Sequence, residues 1–177
     1  MVLIWAVAAA VAAADVAAVA AWGALATGVV LALFSVGGVL GGLAYGRRDW
    51  RVPLGTRPLV LAACSAACYG GIALAFAPAV AGAGLLVAGA CADILLVTTY
   101  QLVDVKVSAD RRAEAGAWLN TAYNLGAAMG AAGGGVLVSH WGPRLTWLVV
   151  ATLTAACATG GALGPNGISG RLRGLRE

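Results

Sequence analysis

Residues 79–103 read AVAGAGLLVAGACADILLVTTYQLV, an apolar run whose one charge is Asp93, and residues 104–113, DVKVSADRRA, then bring Lys106, Arg111 and Arg112 together. Crossing the hydrocarbon core takes about 20 mainly apolar residues, so the first stretch is long enough to span a bilayer and the second marks the face on which it ends. The alternation recurs along the chain. Arg47, Arg48, Arg51 and Arg57 fill another basic segment, and Arg171, Arg173 and Arg176 a third. Between these segments the apolar runs come in pairs, which predicts six spans at 2–21, 24–46, 58–77, 79–103, 114–139 and 144–164. Two crossings separate each basic segment from the next, so all three fall on one face. The positive-inside rule makes that face cytoplasmic and places both termini there. The expectation is an all-α membrane protein with a basic cytoplasmic tail at 165–177.

Composition points the same way. Hydrophobic residues make up 62% of the chain and charged ones 10%, with a mean hydropathy of +0.92, whereas a soluble domain carries about 25% charged residues. The net charge of +4 is no signal for nucleic acid, because the basic residues are confined to loops and tail; such clusters face an anionic cytoplasmic leaflet. A multi-pass protein of the plasma membrane follows, with the lipid bilayer as its first partner. Ten Arg against one Lys, with abundant Ala and Gly, fits a bacterial genome of high GC content.

The breaks between runs differ in character. Trp22-Gly23 and Ala77-Pro78 are tight and uncharged, and His140-Trp141-Gly142-Pro143-Arg144 is short with one charge, whereas 47–57 and 104–113 are longer and basic. Tight breaks imply antiparallel hairpins. Trp5 and Trp22 are spaced roughly 25 Å apart along a helix, which suits one aromatic at each interface of the first span. Residues 2–14 also fit the apolar region of a signal peptide, but no basic lead precedes them. Cys64, Cys68, Cys91 and Cys157 lie within apolar runs, and no His or further Cys stands at metal-ligand spacing, so they read as small buried hydrophobes; no metal and no cofactor is expected. Gly167-Ile168-Ser169-Gly170 has the Gly-x-Ser-Gly form of intramembrane serine proteases. It falls in the polar tail with no later span to carry a base, and no enzyme activity is expected.

Two glycine sets line helix faces: Gly37, Gly38, Gly41, Gly42 and Gly46 in the second run, and Gly126, Gly130 and Gly134 at spacings of four in the fifth. Small residues let helices approach closely where lipid offers little hydrophobic drive for association. Such faces serve as fixed packing or as surfaces on which helices rock. Charges inside a span are costly unless paired or wetted. Asp15 lies near the middle of the first run and Asp93 near the middle of the fourth, where Tyr100, Gln101 and Asp104 continue a polar stripe toward the basic end. Apolar surroundings disfavour the charged form of a carboxyl, which suits it to carry a proton or to hold a cationic ligand; a structural pin between helices is the competing role. Asn120, Thr121 and Asn124 offer either a substrate contact or an interhelical clamp. Glu114 beside Arg111 and Arg112 suggests a surface charge network, and His140 a solvated loop residue.

Two segments carry a resemblance, LFSVGGVLGGLAYGRR at 33–48 and WLNTAYNLG at 118–126. With six spans and a basic loop after the second, residues 1–164 resemble the C-terminal half of a major facilitator superfamily transporter, in particular bacterial drug-efflux-like and sugar-efflux-like members. The family's loop motif runs Gly-x-x-x-Asp-Arg-x-Gly with basic residues after it. Here Gly42 takes the first glycine, Arg47 the basic position and Arg51 a trailing basic position, while Gly46 replaces the Asp and Asp49 falls on the second Gly, which puts the motif's charge relay in doubt. The resemblance implies that the first and fourth helices line a central cavity, bringing Asp15, Asp93, Tyr100 and Gln101 to it, and that the glycine-lined helices move against another half. It implies proton-coupled transport of a small organic molecule, with Asn120 and Asn124 in support. Alternating access needs two such bundles, so the partner expected is a second six-helix half. Met1 opens directly into an apolar run, which fits a fragment or a truncated product. The alternative is a non-transporting six-helix membrane protein that acts as an assembly partner.

Overall fold

The computed structural model describes residues 2–47, 50 and 52–163, with no account of the side chains of 161–163. Arg48, Asp49 and Arg51 of the loop motif, and the tail with Gly167–Gly170, Arg171, Arg173 and Arg176, lie outside the described residues. Of the described residues, 94% are helical, so the fold is all-α. Helix α1 is Val2–Arg47, α2 Arg57–Ala75, α3 Pro78–Lys106 and α4 Arg112–Leu163, with a 3-10 turn at Ala109–Arg111 before the last. By length and composition α1, α2 and α3 are each able to cross a membrane.

Two of these helices are hairpins. Gly23 (φ 73°, ψ 173°) interrupts α1 and Gly142 (φ 79°, ψ 167°) interrupts α4, in a left-handed region that a Cβ would penalise. Ile4 and Phe34 would stand about 45 Å apart on a straight helix, yet both wall one small cavity. Met129 and Cys157, about 42 Å apart on the same reckoning, wall another. The same turn is written twice, as Trp22-Gly23 with Thr27 four residues on and as Trp141-Gly142 with Thr146 four residues on. Pro143 opens the second arm of α4 at a position where a missing N–H costs least.

The breaks sort to two ends of the bundle. At one end Trp22 packs on Phe76 and Trp147, with ring centroids 5.8 and 6.2 Å apart, and Trp147 on Tyr69 at 5.9 Å. Phe76 closes α2 in a left-handed conformation (φ 45°), its N–H donating to the Ile72 carbonyl. From α4, Arg144 donates Nε to the Ala73 carbonyl and Nη2 to that of Leu74, both at 3.0 Å, and lies over the Phe76 ring at 6.0 Å. A guanidinium on the unpaired carbonyls of a helix C-terminus satisfies both their lone pairs and the helix dipole. The opposite end holds Arg47, Arg57, Lys106, Arg111 and Arg112.

Helix directions follow from register. Added Cβ atoms at Gly126 and Gly130 would collide with the carbonyls of Trp5 and Ala9, and one at Gly134 would come within 2.9 Å of Ala13 Cα. Both sets advance by four together, so the first arms of α1 and α4 run parallel with their backbones in near contact. On the other side Gly37 lies against the Leu86 backbone, Gly41 against Ala90 and Gly89 against Phe34, so the second arm of α1 runs parallel to α3. The six helical segments therefore alternate in direction. The first arm of α1 is the most enclosed, with Ala8, Ala14, Ala17 and Ala18 at 1% exposure or less. Its alanines join Tyr69, Ile72, Leu85 and Trp147 in the main core, while Val7, Ala62, Leu95 and Ala158 form a second cluster toward the basic end.

The glycine contacts make a paired prediction. At Gly130 an added methyl meets backbone that cannot move aside, and such overpacking costs about 1–3 kcal/mol. At Gly42 nothing lies within 4 Å, and replacing a helical glycine by alanine gains about 0.5–1 kcal/mol. Gly130→Ala is expected to lower the thermal midpoint in detergent by several degrees and Gly42→Ala to leave it level or raise it, read by fluorescence-detected size exclusion.

Candidate functional site

Asp93, Val97, Tyr100, Gln101 and Asp104 all lie on the exposed face of α3, so the polar stripe is one continuous surface. At its inner end Asp93 borders a cavity of about 40 Å³ walled by Ile4, Val7, Val11 and Phe34 of α1, Leu95 and Leu96 of α3, and Tyr123 of α4. That volume admits a water molecule and little more. The carboxylate itself rests against Gly38, where an added Cβ would overlap Oδ2. Asp93 thus stands where both arms of α1, α3 and α4 converge.

Asp15 does not line that cavity, but it belongs to the same seam. Ile4, Val7, Val11 and Asp15 recur at spacings of three and four on one face of α1, so Asp15 sits one turn, about 6 Å, beyond the cavity wall, half-buried. Among the described residues, the hydrogen bonds between side chains of different helices gather instead around Tyr45, and neither carboxyl joins them. Asn120 and Asn124 are exposed and engage each other: Asn124 Nδ2 donates to the Asn120 carbonyl at 2.8 Å and to Asn120 Oδ1 at 3.1 Å. Thr121 donates to the Ala117 carbonyl. None of these three bonds clamps a neighbouring helix. The expected network of Glu114 with Arg111 and Arg112 is not formed among the described residues; Arg112 Nε donates instead to the Val107 carbonyl at 3.3 Å. His140 is exposed, with Nδ1 2.9 Å from the Val136 carbonyl.

Gln101 has a different setting from the rest of its stripe. Its Oε1 accepts a 2.7 Å hydrogen bond from the Tyr45 hydroxyl, which in turn accepts one from Arg57 Nη1 at 2.6 Å. Thr98 Oγ1, donating to the Ile94 carbonyl, lies 3.4 Å from the same hydroxyl. Arg57 also donates to the carbonyls of Val52 and Trp50 and stacks over the rings of Tyr45 and Trp50, while Trp50 Nε1 donates to the Tyr45 carbonyl. This cluster ties the loop after α1, the start of α2 and the outer half of α3 together. Gly42 and Arg47, the described members of the expected loop motif, take no part; Arg47 is exposed and Gly42 has open space beside it. Sequence reasoning missed Tyr45 and Arg57. The available signal was Arg57 itself, a cation at a helix N-terminus, where the dipole disfavours it and another partner must hold it.

Among the described residues no group of three or more His, Cys, Asp or Glu is placed to hold a metal ion, and the four cysteines are free. No protein-family model, curated protein or solved structure matches this chain. The transporter resemblance therefore rests on residues 33–48 and 118–126 alone.

Tyr45 is buried and its hydroxyl serves two partners, so Tyr45→Phe leaves Arg57 and Gln101 each short of one. Losing a hydrogen bond to a charged group such as the Arg57 guanidinium costs about 1.5–3 kcal/mol. The variant is expected to loosen the junction of the loop, α2 and α3, and to lower the thermal midpoint in detergent by several degrees relative to the wild type.

Proposed function

We propose that this chain is a six-span bundle of a secondary transporter of the major facilitator type, with both termini cytoplasmic, moving a small organic molecule outward across the plasma membrane in exchange for protons. The working unit includes a second six-helix half. The observation that carries the reading is the position of Asp93: a carboxyl at mid-helix, on an exposed polar stripe, at the convergence of α1, α3 and α4. Asp15 continues the seam toward the opposite end, so the two carboxyls provide stations for a proton. Tyr100 and Asp104 extend the stripe outward, with Asn120 and Asn124 as exposed polar groups on α4. The alternation of six helical segments supports hairpins that begin and end on the basic side.

A second reading has its own observation. The Asp93 carboxylate nests against Gly38, as a pin between α1 and α3 would, and a non-transporting assembly partner needs nothing more. Flux separates the two. In proteoliposomes carrying the full transport unit, a proton gradient should drive ethidium accumulation. Asp93→Asn is expected to abolish the gradient-dependent component and Asp15→Asn to reduce it at least severalfold, with both variants still folded. Unchanged coupled flux in both removes the proton-carrier reading.

A further inference from the structure

The contact between α2 and α3 assembles a group of thiols outside the polar sites described above. An added Cβ at Gly84 would come within 3.0 Å of the Ile72 side chain and 3.6 Å of the Cys68 carbonyl, so α3 runs antiparallel on α2 with position 84 facing 68–72. Seven residues make about two turns and return to nearly the same helix face. Two turns on, Cys91 therefore faces residues 61–65 of α2, where Cys64 and Ser65 stand. Cys91 and Ser65 are buried in that contact, at 7% and 3% exposure, while Cys64 lies at its exposed edge. The side chains meet accordingly: the Cys91 thiol is within hydrogen-bonding reach of the Cys64 thiol and of Ser65. Cys68, one turn along α2, reaches Cys64 as well. The sequence shows only the Cys64–Cys68 pair; Cys91 joins it through the fold.

The number of ligands limits what such a site can hold. Among the described residues no three His, Cys, Asp or Glu side chains share a position for one metal ion, whereas zinc takes three or four protein ligands. Two thiols alone suit a soft d10 cation that accepts linear coordination, and sulfur ligands select Cu(I) among the common metals. Two metal–sulfur bonds of about 2.3 Å each span about 4.6 Å, comparable with the separation of thiols already within hydrogen-bonding reach. Charge is the second limit, because an uncompensated ion in apolar surroundings is costly. Cu(I) that displaces one proton leaves one thiolate and one thiol on the metal, and the complex is neutral with no electron transferred. The exposed Cys64 provides the entry, seven residues or about 10 Å from Arg57, where α2 starts at the basic end.

We propose that Cys64 and Cys91 form a two-coordinate site for one Cu(I) ion, which bridges α2 and α3. The site is independent of the transport reading and stands or falls without it. The test is metal retention by the full chain in detergent, kept reduced with ascorbate, loaded with Cu(I) and challenged with the Cu(I) chelator bicinchoninate, read by native mass spectrometry. The wild type should retain one copper per chain, and no zinc when offered Zn(II) instead. Its thermal midpoint should rise by several degrees on loading, since an ion held only by the folded state stabilises it. Cys64→Ser, an exposed change, should weaken retention by at least about a hundredfold, more than losing a group that only orients a ligand costs, and remove the thermal shift. Cys91→Ala should do the same, whereas Cys68→Ser should keep the metal. Should Cys91→Ala fail to fold, Cys64→Ser alone decides. Copper held unchanged by Cys64→Ser or by a folded Cys91→Ala, copper lost in Cys68→Ser, or zinc retained by the wild type overturns the proposal. So does a reduced, folded wild type that keeps no copper.

Discussion

Everything in this bundle depends on how closely the first arm of α1 can be approached. Gly126, Gly130 and Gly134 bring α4 onto the backbone of Trp5, Ala9 and Ala13, and the rest of that arm is mostly alanine. In lipid, apolar surface alone does not drive helices together; dense contact does. Small residues on both partners lower the distance between axes, so many weak dispersion contacts form along several turns. The same feature leaves hollows on the outside, since side chains too small to separate two helices are also too small to fill the furrow between them.

The α1–α3 contact applies that principle once more with a different result. Gly37, Gly41 and Gly89 set the two backbones close together, and Gly38 leaves room for a carboxylate. A side chain at position 38 would displace Asp93 from the convergence of helices where it now sits. Packing and polar placement are therefore one design here: the glycine that admits the helix also admits the charge. The cavity beside it is small enough to restrict what can approach the carboxyl from within, while the exposed stripe from Tyr100 to Asp104 leaves the approach from the basic end open.

Much of this was legible in the sequence, for local reasons. Gly23 follows a run with no other breaker, and Gly142 stands before Pro143, so the chain has few other places to turn. Apolar length and glycine spacing of four are properties of single segments. The polar stripe on α3 follows from 100° per residue and nothing else. The Tyr45 cluster could not be read in the same way, because Tyr45, Arg57 and Gln101 come from three different elements and meet only through the fold. Tyr123, likewise, gains its place beside Asp93 only once α4 is laid against α1. The supposed Glu114 network failed for the opposite reason: nearness in sequence allowed a pairing that Arg112 does not make, its Nε turned instead to the Val107 carbonyl that ends the preceding helix.

Arg144 shows how far such contacts alter the meaning of a charge. It is the one basic residue of eleven outside the three basic segments, and by simple counting it opposes the asymmetry on which orientation depends. Its guanidinium, however, is held by two carbonyls at the C-terminus of α2, where partial negative charge accumulates. Arg57 is similarly occupied at the opposite end, held by Tyr45 and by loop carbonyls. Once both are assigned to capping and bracing, the excess that remains on the basic side is carried by exposed residues such as Arg47, Lys106, Arg111 and Arg112. Among the described residues these carry the exposed positive charge of the basic end.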